Sequence, residues 1–289
     1  MWSWSRDLPI DGRYLEQIVR SWSPADRELF DQYVNEACEF FPLIRDDIAG
    51  LNGGLGIKEI GSGIGLLSLL VANEGFTVIS YEPESSGFPL MSKFRETLLS
   101  VWLGTSGTVI WVSEKYGVFS TASQPASYVF AVNVVEHIEE WPRLVSEIFE
   151  NETDDVVTRF VFPNYLYPYE PHFNMPTLFR KNITARFMKS RITKSHLAEP
   201  QQFWDELSWP TGSQMKRVCG DFGLLSNFNS ESFQSYLVRL RQDEQFRKRK
   251  GTFMLLSMYL ALPVLVGIGK LLPPQFLPII DVRISRSVS

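Results

Sequence analysis

The sequence predicts an α/β protein with a mostly parallel central sheet, N-terminal helices and a C-terminal helical hydrophobic extension. Three observations predict it. Short apolar runs alternate with helical stretches from Ile57 to Phe162, a glycine-rich turn follows the first run, and a carboxylate ends the second. Repeated strand-helix alternation implies parallel strands covered by helices on both faces.

Residues 1–50 read as a helical segment. Ser23, Pro24 and Asp26 supply a capping hydroxyl and a first-turn proline, and Phe30, Tyr33, Val34, Ala37, Cys38 and Phe41 recur at helical spacing behind them. Pro42 is expected to end that helix. The helix either packs on the main domain or lids its site; packing is favoured.

Ile57–Ile60 reads as a strand. The helix after it runs to about Asn73 and closes at Gly75. Thr77–Tyr81, Thr108–Val112, Tyr128–Val132 and Val156–Phe162 are the further strands. The next hundred residues, rich in aromatic and polar side chains, are expected to complete the sheet and cap the substrate side. The main domain is placed at 51–240 and a basic, hydrophobic extension at 241–289.

The chain has 289 residues, 33 acidic against 28 basic, for a net charge of −5. That balance argues against nucleic acid, whose binding leans on clustered Lys and Arg. The two cysteines, Cys38 and Cys219, form no paired motif, so neither a disulfide framework nor a zinc motif is expected. Without the apolar run of a signal peptide after Met1, a cytoplasmic location is expected.

The informative stretch is Glu59-Ile-Gly61-Ser-Gly63-Ile-Gly65, with Glu82 closing the next strand 21 positions after Gly61. Glycines serve where backbone turns tightly and approaches a ligand. A helix N-terminus after such a turn presents N–H groups, and a carboxylate at the next strand end can bind ribose hydroxyls. A nicotinamide-dependent reductase shares this plan, but its Gly-x-Gly-x-x-Gly fingerprint would need glycine where Leu66 stands.

The stretch resembles motif I of class I S-adenosylmethionine-dependent methyltransferases, Glu/Asp-x-Gly-x-Gly-x-Gly, at every fixed position. Asn133-Val-Val-Glu136-His137-Ile138 resembles that family's fourth-strand motif, and Arg159-Phe-Val-Phe-Pro163-Asn164-Tyr165 its fifth strand and Pro-Asn turn. The resemblance covers about Lys58 to Asn164. It implies a Rossmann-like methyltransferase fold and S-adenosyl-L-methionine as cofactor.

Carried over by position, it implies that Gly61, Gly63 and Gly65 pass close to the methionine and ribose parts. Glu59 orients the loop or reaches the cofactor's amino group, and Glu82 binds the ribose. Ser113 and Glu114 lie near the adenine. Asn133, standing where other members carry Asp or Ser, lies beside the methionine moiety.

Methyl transfer from a sulfonium needs alignment and, for many acceptors, a base. It requires no metal. Candidate bases are His137, His172, Glu170 and Tyr169; His137 serves equally well as a residue bonding the next helix. The last three belong to the proline- and tyrosine-rich run 163–173, whose position after a strand end suits an acceptor pocket or a packed loop.

Thr252–Leu272 carries one charge, Lys270, over a length near that of a membrane span. Arg247-Lys-Arg-Lys250 precedes it as a basic flank, and Phe276–Ile280 is a further apolar patch. Membrane association through 247–280 is the expectation, with burial inside the protein as the alternative. The acceptor expected is a small molecule or a lipid-linked compound. The other functional reading is a non-catalytic adenosine-binding module that scaffolds a membrane assembly.

Overall fold

The computed structural model describes residues 8–51, 56–83, 90–104, 106–117, 124–178, 180–195, 199–242 and 272–287. They fall into two compact units, one within Met1–Ala131 and Glu147–Val157, the other within Val132–Ser146 and Thr158–Ser289.

The first unit begins with α1 (Gly12–Val19), capped by Asp11, and α2 (Pro24–Ile48). Ser23 caps α2 by accepting the Asp26 N–H at 3.0 Å. The helix does not end at Pro42 but runs six residues past it. An interior proline removes one helical bond and costs ~3 kcal/mol. Ile44 and Ile48, at 0% and 1% exposure, continue the buried stripe of Phe30, Val34, Ala37 and Phe40. Burying two such side chains returns about 3–6 kcal/mol, enough to carry the helix through.

Next come β1 (Gly56–Ile60), α3 (Leu66–Asn73), β2 (Thr77–Tyr81), α4 (Met91–Val101) and β3 (Thr108–Val112), then β4 (Ala126–Val132) and α5 (Trp141–Asn151). α2 packs on α3, the packing alternative for the N-terminal segment. β1 pairs in parallel with β2 and with β4, and β2 with β3. Lys58, inside β1, is paired at 2.6 Å with Glu152 just past α5, both fully buried. Glu152 also accepts the Tyr116 hydroxyl at 2.5 Å and the Ala126 N–H at 2.6 Å, so its lone pairs are used.

The second unit holds β5 (Val157–Pro163), the small antiparallel pair β6 (Tyr169–Glu170) and β7 (Met175–Pro176), and three helices, α6 (Lys181–Thr193), α7 (Pro200–Glu206) and α8 (Gly212–Asp221). β8 (Leu224–Phe228), α9 (Glu231–Gln242) and β9 (Ile279–Arg286) complete it. β8 and β9 pair antiparallel. The sheet order is β3-β2-β1-β4-β5-β9-β8. Its first five strands follow the Rossmann order, which reverses between β1 and β4. The expected Rossmann-like, mostly parallel sheet is therefore present.

One strand lies where the sequence placed the C-terminal extension. Residues 279–286 form β9, with Ile280, Val282 and Ile284 fully buried. Leu277 is likewise buried, so much of the apolar Phe276–Ile280 patch is spent on packing. The rest of the expected membrane segment, 247–271, lies outside the described residues. Among those described, no helix is long and apolar enough to cross a membrane.

Candidate active site

In the first unit, the turn between β1 and α3 holds Gly61, Gly63 and Gly65 at φ of 69°, 54° and 79°. At Gly65 even a methyl group would force the Trp111 ring to shift, because a Cβ there would run into its far edge. The Gly61 and Ser62 N–H groups donate to Tyr81 O at 2.8 and 3.1 Å, fastening the turn to the end of β2. Glu82 follows directly, and its Oε2 accepts the Gly63 N–H at 2.6 Å. The expected carboxylate thus lies at the glycine turn itself. Arg95, on α4, donates to Gly63 O at 2.7 Å and lies 5.1 Å over the Trp111 ring.

Glu59, on β1, is buried and accepts a hydrogen bond from Ser68 on α3, strapping the strand to the helix beyond the turn. Burial pushes its carboxyl up to about 8, against the Ser68 bond and with help from Glu82. Burial also raises Glu82, opposed by the Gly63 N–H and by Arg95. Ser113 and Glu114 lie exposed after β3.

In the second unit, Asn133 adopts φ 55° and donates its N–H to Val161 O at 2.8 Å. Asn is among the few residues that tolerate this left-handed region. A 3-10 turn follows at Val135–His137. It is fixed by Ser208, whose N–H donates to Glu136 O at 2.8 Å.

His137 and His172 meet edge to face, with ring centroids 4.9 Å apart, and Phe203 lies 5.1 Å from each. His172 Nδ1 is 2.7 Å from Glu170 Oε1. Glu170, fully buried, also accepts the Tyr165 hydroxyl at 3.2 Å and the Phe173 N–H at 2.6 Å. Burial, with His172 alongside, holds the His137 imidazole well below its ordinary value. Tyr169 donates its hydroxyl to Asn174 Oδ1 at 2.6 Å, and burial lifts its phenol above the usual range, so it suits a donor better than a base.

Three of the four candidate bases therefore gather around one carboxylate-imidazole pair. Sequence reading missed Arg95, Trp111, Phe203 and Ser208, because each reaches its place through tertiary packing; Tyr165 stood in the tyrosine-rich run already assigned to an acceptor pocket or a packed loop. Glu136 lay inside a motif already singled out, and its full burial is what marks it.

No protein-family profile matches the chain. "Uncharacterized protein Rv1509" of Mycobacterium tuberculosis strain H37Rv is 30% identical over 246 residues, 84% of this chain and 83% of the relative. "Uncharacterized protein MT1557" of strain CDC 1551 matches with the same figures. The chain belongs to the family of these mycobacterial proteins. Solved structures with a related course are more distant. Plantazolicin methyltransferase BpumL, with a triazolic desmethylPZN analog and SAH, is 8% identical over 96% of this chain and 90% of its own, at TM-score 0.47. Magnesium protoporphyrin IX methyltransferase from Synechocystis PCC 6803, with bound SAH, is 12% identical over 88% and 82%, at 0.44.

Proposed function

We propose that the protein transfers a methyl group from S-adenosyl-L-methionine to an oxygen, nitrogen or carbon of a small-molecule or lipid-linked acceptor, by in-line displacement. The observation carrying this reading is the left-handed glycine turn whose Gly63 N–H is bonded by Glu82. When bound, the cofactor supplies a methyl group activated by its sulfonium. Glu82 binds the ribose hydroxyls, and Gly61, Gly63 and Gly65 let the backbone approach the ligand. Glu59 sets the turn's orientation, Ser113 and Glu114 border the adenine, and Asn133 borders the methionine end.

For an acceptor that must lose a proton, His172 is the base. Glu170 fixes its tautomer by accepting a hydrogen bond from Nδ1, which assigns the base role to Nε2. Tyr165 and the Phe173 N–H hold Glu170 in turn.

A lipid-linked acceptor has one support in the described surface. α6 contains no acidic residue and exposes Phe187 at 70% and Ile183 at 42%, with Arg186 and Lys189 exposed beside them. Apolar side chains among cations suit an anionic lipid surface.

The test is calorimetry with S-adenosylhomocysteine, followed by turnover on small-molecule and lipid fractions. Glu82→Ala is expected to weaken cofactor binding by roughly tenfold or more, through lost ribose bonds. His172→Ala should leave that affinity unchanged and lower turnover roughly tenfold or more. No binding at millimolar ligand would overturn the reading.

A further inference from the structure

We infer that Glu136, His137 and His172 form a binding site for a divalent first-row cation, with a coordination position left open. Their ligand atoms, one carboxylate oxygen and two ring nitrogens, all lie within 4.8 Å of one another. Zinc bound at about 2.0–2.2 Å would draw them to roughly 3.4 Å apart, a small side-chain adjustment.

The surroundings hold each ligand as a metal site requires. Ser208 fixes the turn carrying Glu136 and His137, through bonds to Glu136 O and Val135 O. Phe203 packs against both imidazoles. His172 Nδ1 is held by the buried Glu170 at 2.7 Å, and Nε2 is the nitrogen assigned to the metal. A carboxylate behind a ligating imidazole is the arrangement that orients a metal-bound histidine and raises its basicity.

Two nitrogens and one carboxylate oxygen favour zinc and its first-row neighbours over magnesium. Three protein ligands mark an open, reactive site, where structural zinc takes four. The open position fits water or an acceptor oxygen. If methyl transfer is the reaction, an ion here would lower the pKa of that oxygen, its proton leaving to solvent, in place of proton removal by the His172 imidazole. Ion binding itself needs neither cofactor nor acceptor and is tested apart from that reading.

The experiment is calorimetric titration of chelator-stripped full-length protein with Zn²⁺, and with Mg²⁺ as the hard-cation comparison. Expected is one Zn²⁺ per chain with submicromolar affinity and negligible Mg²⁺ binding. Glu136→Gln and the double variant His137→Ala/His172→Ala should each weaken Zn²⁺ binding by at least about tenfold, and Glu170→Gln by roughly tenfold. A second measurement uses the unaltered protein: Zn²⁺ should shield His137 and His172 from diethyl pyrocarbonate, read by mass spectrometry. Absence of stoichiometric binding, undiminished binding in the double variant (as coordination at Cys38 would give), or equal labelling with and without Zn²⁺ would each overturn the site.

Discussion

Burial pushes the Glu59 carboxyl up to about 8 from its ordinary value of 4.5, which favours the protonated form at neutral pH. Between those values the folded chain keeps a proton that the unfolded chain has released. Stability therefore falls as pH rises through this window, by up to ~1.4 kcal/mol per pH unit. Glu59→Gln retains an acceptor for Ser68 and removes the titration. Its melting temperature should drop less than the parent's between about pH 5.5 and pH 8, and an equal drop in both proteins would contradict the assignment. At Gly65, alanine meets both a φ of 79° and the Trp111 ring. That substitution should weaken S-adenosylhomocysteine binding, measured by calorimetry, more than the same change at exposed Gly220, whose Cβ would meet open space.

Among elements, charge holds neighbours together inside each unit. In the second, Arg159 on β5 donates to Asp281 on β9 through Nε at 3.0 Å and Nη2 at 2.8 Å, and Ser232 donates its hydroxyl to the same carboxylate at 2.8 Å. Removing Asp281 leaves a buried guanidinium without its principal partner, and Asp281→Ala should cost about 3–5 kcal/mol in chemical denaturation. Glu231 meets the same guanidinium at 2.9 Å, but its side chain is 52% exposed. Glu231→Ala should therefore cost under ~1 kcal/mol. Comparable losses in the two variants would show that burial does not set the strength of this network. In the first unit, Pro42→Ala restores a missing helical N–H within α2, and denaturation should show stabilisation of up to about 3 kcal/mol.

At the scale of the whole molecule, net charge is −5 while α6 is wholly basic in its charged residues. Such segregation orients a protein on an anionic surface within a Debye length, about 8–10 Å at moderate salt. Full-length protein should cosediment with phosphatidylserine vesicles and not with phosphatidylcholine alone. The triple substitution Arg186→Ser, Phe187→Ser and Lys189→Ser should reduce the bound fraction severalfold. Equal sedimentation with both lipids, or none, would remove α6 as a lipid-facing element.

The sequence by itself determined the strands from Gly56 to Pro163 and the glycine turn, because both are written in local chemistry. β-branched runs have a period of their own, and positive φ selects glycine. Glu82 was legible for the same reason, as a fixed spacing between a turn and the next strand end. Tertiary structure decided the rest. It carried α2 through Pro42, since burial of Ile44 and Ile48 outweighs a local penalty that pattern reading takes as final. It made Ile279–Arg286 a strand beside β8, a pairing across more than fifty residues with no local signature. It also brought Glu136, His137 and His172 together, with Glu170 behind His172 and Phe203 against both imidazoles. Chains record short-range preferences residue by residue, whereas a cluster of side chains from distant segments exists only once the backbone has closed.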